Sequence, residues 1–356
     1  MPKTAMCFKI PKKQGEVAIT AAAKLGLIDK GLAVLHEDSN ICIPLNRQPQ
    51  STELEAIRKQ IPKLQLSTAT FTEKQSSTQT LPQVLDGKLP PHLLATLPQA
   101  FDIIGDIAIV EIPPELKPHQ HLIGEALLKT HKNLKTVLAK AGDVSGVYRI
   151  REYNHIAGEN RTQTIHREFG CTYHVDIAKA YFSPRLSHEH ERVALQVQNG
   201  ETVADLFAGV GPFSVLIGKK QTGAKVYAVD LNPDAVELLK RNVKVNKVEN
   251  RVFPICADAR EISQTQLKDS ADRVIMNLPE TAIDFVDSAC NVLKSKGGVI
   301  HFYGFVRSPD SIENFKQRFS ELVTKNGRKV EGFLYSRSIR ETAPFESQVV
   351  LDSKIR

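Results

Sequence analysis

The sequence predicts an α/β protein whose second half is a doubly wound, largely parallel sheet, preceded by two smaller α+β units. From Glu201 to Tyr303, apolar strand-like runs alternate with helical patterns, as βαβ units require. A glycine-bearing turn, Asp205-Leu-Phe-Ala-Gly209-Val-Gly211-Pro-Phe, follows the first of those runs. Asp230, Asp258 and Asn277 close the next three, so four successive strand ends carry polar or glycine residues.

The first unit spans residues 1–74. Met6–Ile10 reads as a short strand, Val17–Leu25 as a helix, and Leu32–Leu35 and Ile41–Leu45 as strands. Residues 75–95 open with Gln75-Ser-Ser-Thr-Gln-Thr-Leu-Pro-Gln, a composition that buries little and reads as a linker. In the second unit, residues 96–178, a strand pair is expected around Gly105-Asp106 and a helix at His121–Thr130. Strands are expected at Gly146–Tyr153, Thr162–Phe169 and Thr172–Ile177. In the third, residues 179–356, strands fall at Thr202–Leu206, Lys225–Val229, Val252–Cys256, Arg273–Met276 and Val299–Tyr303. The clearest helices there are Pro233–Asn246 and Thr281–Leu293. Lys329–Tyr335 and Ser347–Leu351 suit an antiparallel pair at a sheet edge.

Composition excludes several classes. With 356 residues and 41% hydrophobic content the chain can bury a core in each unit. No apolar run approaches the ~20 residues that span a bilayer, and the amino-terminal residues lack a secretory apolar stretch, so no membrane partner is expected. Five cysteines lie far apart without a CxxC pair, which argues against a zinc site or a disulfide framework. A reducing cytoplasm is the simplest compartment. Nine of the eleven histidines fall between His92 and His190 without metal-ligand spacing. The formal charge of +7 is spread along the chain, which a polyanionic partner suits but does not require.

The strand ends suggest one ligand. Gly209 and Gly211 let a backbone approach it closely where a strand turns into a helix. Ser214 stands where a dinucleotide fingerprint has its third glycine, so pyrophosphate is disfavoured. Asp230, 21 residues after Gly209, can accept both ribose hydroxyls, and Asp258 can accept from an adenine amine. Either aspartate alone is equally at home as a helix N-cap. Together they suit an adenosine with a cationic tail. These residues resemble class I S-adenosylmethionine-dependent methyltransferases, which have a Rossmann-like sheet. By that resemblance Phe207, Ala208, Gly209 and Gly211 approach the methionine part of S-adenosyl-L-methionine, Asp230 holds the ribose and Asp258 the adenine. Asp205, Leu231, Asn232, Ala259 and Asn277 complete the cofactor-binding set.

The acceptor is narrowed next. In Asn277-Leu-Pro279-Glu280, Glu280 stands where enzymes acting on exocyclic amines carry a stacking aromatic, so that activity is disfavoured. Glu280 itself reads as a solvated glutamate at a helix N-terminus rather than a base. Val147–Arg192 is dense in Arg, His and Tyr, which suits bases and phosphates. In the strand expected there, Arg149 and Arg151 point the same way.

Longer strings carry a sharper resemblance: Phe101-Asp-Ile-Ile-Gly-Asp-Ile-Ala, Tyr148-Arg-Ile-Arg-Glu, Ala157-Gly-Glu-Asn-Arg-Thr, Asp176-Ile-Ala-Lys-Ala-Tyr-Phe-Ser-Pro-Arg185 and Ile275-Met-Asn-Leu-Pro. With Cys7-Phe-Lys-Ile in the first unit, they make the chain similar to the archaeal and eukaryotic tRNA (guanine-37 N1)-methyltransferases over nearly its whole length. From its setting alone, Glu189 is a first-turn helix carboxylate. The resemblance makes it the base that removes the N1 proton, and makes Arg149 the cation that steadies guanine O6. It has Asn277 and Pro279 shape the catalytic pocket and adds Tyr181 and Arg185 as further pocket residues in the cofactor-binding set. It implies a monomer whose first domain touches the tRNA elbow while the others hold the anticodon stem-loop. It also raises a magnesium requirement, to be tested by chelation. Two rivals remain. One is a wybutosine-pathway enzyme at position 37, methylating a tricyclic guanosine derivative or transferring an aminocarboxypropyl group. The other is a cofactor-holding RNA-binding protein without catalysis.

Overall fold

The computed structural model describes residues 2–37, 39–73, 79–142, 146 and 148–356. The chain forms two compact units, Met1–Gln79 and Thr80–Arg356.

The first unit runs β1 (Pro2–Pro11), α1 (Gly15–Lys24), β2 (Leu35–His36), β3 (Asn40–Pro44), α2 (Ser51–Gln60) and β4 (Gln65–Thr72). Its strands form an antiparallel sheet in the order β2-β3-β1-β4. Phe8, Ile10, Ala18, Ala22 and Ile57 fill the core between sheet and helices. The sequence reading had no place for α2 or β4. α2 buries only Ile57 along its length, and β4 is a threonine-rich edge strand with Phe71 as its one buried residue. Neither shows a clear apolar period.

The second unit begins with α3 (Leu81–Leu85) and α4 (Pro91–Leu94), where a linker is expected. Val84, Leu85 and Leu89 are buried against Leu116, Ile123 and Leu127, so a few apolar residues in a polar stretch anchor this segment. A Thr80/Gln83 capping box starts α3. Residues 75–78 of the expected linker and Val147 lie outside the described residues. Next come β5 (Asp102–Ile104), β6 (Ile107–Val110), α5 (Gln120–Thr130), β7 (Thr136–Lys140) and β8 (Tyr153–Gly158), a sheet in that strand order. Among the described residues the expected strand Gly146–Tyr153 does not form: Tyr148 and Arg149 make a turn, Arg149 has a left-handed backbone (φ 54°), Ile150 makes a single bridge, and the ladder with β7 starts at Tyr153. The inference that Arg149 and Arg151 share a strand face falls with it.

β9 (Gln163–Glu168) and β10 (Cys171–Asp176) make a hairpin. Tyr173 and Val175 share one apolar cluster with Ile107 and Leu138 of the preceding sheet and with Val203 and Val226 of the large one. The remaining elements are α6 (Ser187–Gln196), β11 (Thr202–Asp205), α7 (Pro212–Lys220), β12 (Lys225–Asp230), α8 (Pro233–Val245), β13 (Val252–Cys256), α9 (Ala259–Gln264), β14 (Arg273–Met276), α10 (Val286–Val292), β15 (Gly298–Arg307), α11 (Ile312–Lys325), β16 (Val330–Ala343) and β17 (Glu346–Ile355). Asn242 of α8 and Asn246, which caps its carboxyl end, bond the backbone of β10 through their amides, which fixes the hairpin on that helix.

The seven-stranded sheet has the order β13-β12-β11-β14-β15-β17-β16. Its first five strands are parallel, and β17 and β16 add the antiparallel edge pair. The order reverses between β11 and β14, where a crevice opens at the carboxyl ends of the strands. No helix among the described residues is long and apolar enough to cross a membrane.

Candidate active site

A cavity of about 470 Å³ lies in that crevice. Arg149, Tyr181, Phe207, Ala208, Gly209, Asp230, Leu231, Asn232, Asp258, Ala259 and Asn277 all line it. Four strand ends and the turn after residue 146 therefore converge, as the strand-end pattern suggested.

Each strand end is fixed locally. Asp230 accepts from the backbone N–H of Gly209 (2.7 Å) and of Asn232 (2.9 Å), tying the glycine turn to the next strand. Burial raises the Asp230 carboxyl above the usual range, and those backbone donors oppose the rise. Asn232 caps α8, its Oδ1 accepting from Asp234 N at 3.0 Å, while its Nδ2 donates to Lys179 O at 2.7 Å. Asp258 caps α9 through Arg260 N at 2.7 Å and also lines the cavity. Phe207 meets Phe285 edge to face at 5.0 Å, and Arg260 lies 3.8 Å over the Phe285 ring, forming a half-apolar wall.

Five expected residues do not line the cavity. Gly211 (φ 90°) caps α7, and a Cβ there would come within 2.2 Å of Leu239 Cδ1, so its smallness serves helix packing. Pro279 is half-buried between Leu278 and Glu280, which do line the cavity. Arg185 pairs instead with Asp102 of β5. Asp205 is fully buried, with Oδ2 accepting from Ser214 Oγ at 2.7 Å and Oδ1 without a hydrogen-bond partner. Glu189 is also buried, at 8% exposure. Leu186, which caps this helix, and His190 within it line the cavity on either side of Glu189 in sequence.

Glu189 accepts from the Tyr303 hydroxyl (3.0 Å) and from Arg192 Nη2 (2.8 Å). Arg192 also donates to Asp352, which takes His301 Nδ1 at 2.7 Å. Burial pushes the Tyr303 hydroxyl far above the ordinary tyrosine range. Asp352 would be raised by burial, but His301 and Arg192 hold it far below the carboxylate range.

Sequence reasoning missed several lining residues, among them Phe182, His190, Arg260 and Phe285. His190 donates or accepts at 2.7 Å with buried Glu168, and His190 next to Glu189 in the helix was its one available signal. Glu280 has a partner that sequence reasoning also missed. Its carboxylate, half-exposed just before the N-cap of a short 3-10 helix as expected, is also gripped by both Nη atoms of Arg149, at 2.6 and 2.8 Å.

Burial, then the nearby Asp230 charge, raise Asp205 to about 7. An acid whose folded value is raised gives stability that is complete below its ordinary value of about 4 and lost as pH rises through about 7. Asp205→Asn should therefore melt several degrees above wild type at pH of about 8. The gain should vanish near pH 4, as thermal unfolding across that range will test.

A seven-stranded sheet in this order, with an adenosine-sized crevice at its switch point, defines a class I, Rossmann-like methyltransferase. Comparison with known proteins sharpens the class. Residues 164–331 match the TRM5/TYW2 methyltransferase domain, residues 81–162 the TYW2 N-terminal domain, and residues 7–53 the tRNA methyltransferase 5 N-terminal domain. The tRNA (guanine(37)-N(1))-methyltransferase Trm5b of Pyrococcus abyssi is 41% identical over 98% of this chain and 99% of its own. Its crystal structure matches with a TM-score of 0.71, covering 99% of both chains. The complex of aTrm5 with tRNALeu matches at 0.67, with 34% identity over 99% of this chain and 100% of that one. Methanocaldococcus jannaschii Trm5 with adenosine matches at 0.64, with 34% identity over 98% and 99% of the two chains. The chain belongs to the TRM5/TYW2 methyltransferase family.

Proposed function

We propose that this protein transfers a methyl group from S-adenosyl-L-methionine to N1 of guanosine 37, 3′ of the tRNA anticodon. The observation that carries this is the cavity at the β11–β14 switch point, which joins an adenosine-type strand-end set to Arg149, in a chain alike end to end to guanine-37 N1-methyltransferases. The residues present fit the cofactor. Asn277, on the cavity wall, has a buried Oδ1 without a protein partner, and Asp230 sits where ribose hydroxyls can donate. The cofactor supplies an electrophilic methyl carbon on a sulfonium.

The chain's own residues do the rest. Glu189 takes the N1 proton as the new bond forms, and a positioned base of this kind contributes ~10²–10⁴-fold. Arg192 is shared between Glu189 and Asp352, so the guanidinium keeps a carboxylate partner when Glu189 becomes neutral. Arg149 leaves Glu280 to meet the charge developing on guanine O6. Asn277 and Pro279 shape the guanine edge, and Tyr181, half-exposed on the cavity wall, faces the incoming base. Arg185, held by Asp102, braces the segment that carries Tyr181.

The first unit contacts the tRNA elbow and the second unit the anticodon stem-loop, with the protein acting as a monomer. The cytoplasm suits such a substrate, and all five cysteines are free thiols. Among the described residues no three His, Cys, Asp or Glu side chains gather as a metal cage. No step is routed through a magnesium ion. Chelation during turnover tests the requirement.

Methylation of an unmodified transcript, compared with one carrying adenosine at position 37, tests the function. Transfer to the first and none to the second is expected, and equal labelling of both would overturn it. Asp230→Asn should weaken cofactor binding roughly tenfold or more, because a bond to an ionised acceptor is worth about 1.5–3 kcal/mol. Calorimetric titration with the cofactor reads this directly.

A further inference from the structure

The β16–β17 hairpin closes on a two-residue turn, Pro344-Phe345, between the paired Ala343 and Glu346. Phe345 combines two unfavourable choices. Its backbone is left-handed (φ 63°) at the second corner of a tight turn led by proline, a position that ordinarily takes Gly or Asn. Its ring is 83% exposed, more than any other large hydrophobic side chain among the described residues. Strain and an exposed aromatic at one residue argue for a use.

The turn's place says which use. β17 runs antiparallel to β15, with Glu346 opposite Arg307 at the carboxyl end of β15. The turn therefore projects from the same sheet edge as the cavity. Ser308 N donates to Phe345 O at 2.9 Å and pins it there. After Arg149, the Arg307 charge helps hold the Glu280 carboxyl below its usual range, and Glu280 lines the cavity, so the base of the turn stands beside the cavity mouth. Arg307 is 81% exposed even though it pairs with Glu346. Tyr148 and Tyr181, each 47% exposed, sit on the cavity wall. Exposed rings and an exposed arginine at one sheet edge suit unstacked bases and their phosphates.

We propose that Phe345 is a stacking platform for an anticodon-loop nucleotide flanking the target guanosine, with Arg307 reaching its phosphate. This rests on the tRNA reading above and adds a specificity contact outside the catalytic machinery. The test is tRNA binding by the full chain, followed by fluorescence anisotropy on an unmodified transcript, with Phe345→Gly, Phe345→Leu and Phe345→Trp. Gly suits the left-handed corner, so that variant keeps its fold. Stacking strengths predict roughly 5- to 100-fold weaker tRNA binding for Gly and Leu, wild-type binding for Trp, and unchanged cofactor affinity in all three. Wild-type affinity in the Gly variant, or full rescue by Leu, would overturn the platform. The same wild-type sample is assayed for methyl transfer. Failure there counts against the guanosine reading, whereas the platform stands or falls on the binding comparison alone.

Discussion

Glu189→Gln is expected to lower the single-turnover rate of methyl transfer by roughly 10²–10⁴-fold while both ligands still bind. Guanine N1 carries a hydrogen, and nucleophilic attack on the methyl carbon needs that proton removed as the bond forms. Glutamine keeps the size of the side chain and can still accept from Tyr303 and Arg192, so the helix should hold. What it loses is the capacity to take the proton. Rapid-quench measurement with saturating cofactor and tRNA separates this from a binding defect. A Gln variant that transfers methyl at the wild-type rate would remove Glu189 from the mechanism.

Arg149→Ala should lower the chemical step by about 10²–10³-fold, the scale on which a lost donor to a developing oxyanion is felt. The guanidinium is already formed into a two-pronged donor by Glu280 at the cavity wall. Guanine O6 competes with that carboxylate, and only Arg presents this planar fork, so Arg149→Lys should restore little. Cofactor affinity should stay near wild type, because the Asp230 and Asp258 strand ends are untouched. An equal loss in cofactor affinity would show instead that the left-handed turn at Arg149 shapes the cavity.

How far the sequence foretold this site depends on how local the cause was. Gly209, Asp230, Asp258 and Asn277 could be read because each ends a parallel strand, and parallel strands deliver their ends to one edge. Their apolar runs are continuous, so the strand pattern was plain. The Arg149–Glu280 fork joins residues 131 apart, and the Arg192–Asp352 pair residues 160 apart, where no periodicity reports contact. Gly211 was legible as a glycine that matters, but not that Leu239, rather than a ligand, demands its smallness. The helix Leu81–Leu85 was hidden because the few apolar residues within a Gln, Ser and Pro-rich stretch, Leu81, Val84, Leu85, Leu89, Leu93 and Leu94, outweigh its average composition once they find Ile123 and Leu127. Arg149 misled in the opposite direction: alternating Arg and Ile suggested a strand where the backbone turns.

The central claim is that the site puts one methyl group on N1 of guanosine 37. Mass spectrometry of nucleosides, after the protein has acted on unmodified tRNA with isotopically labelled cofactor, addresses it most directly. The account predicts labelled 1-methylguanosine at position 37 and no other labelled nucleoside. A labelled aminocarboxypropyl adduct, a methylated tricyclic base, or no labelled product would contradict it.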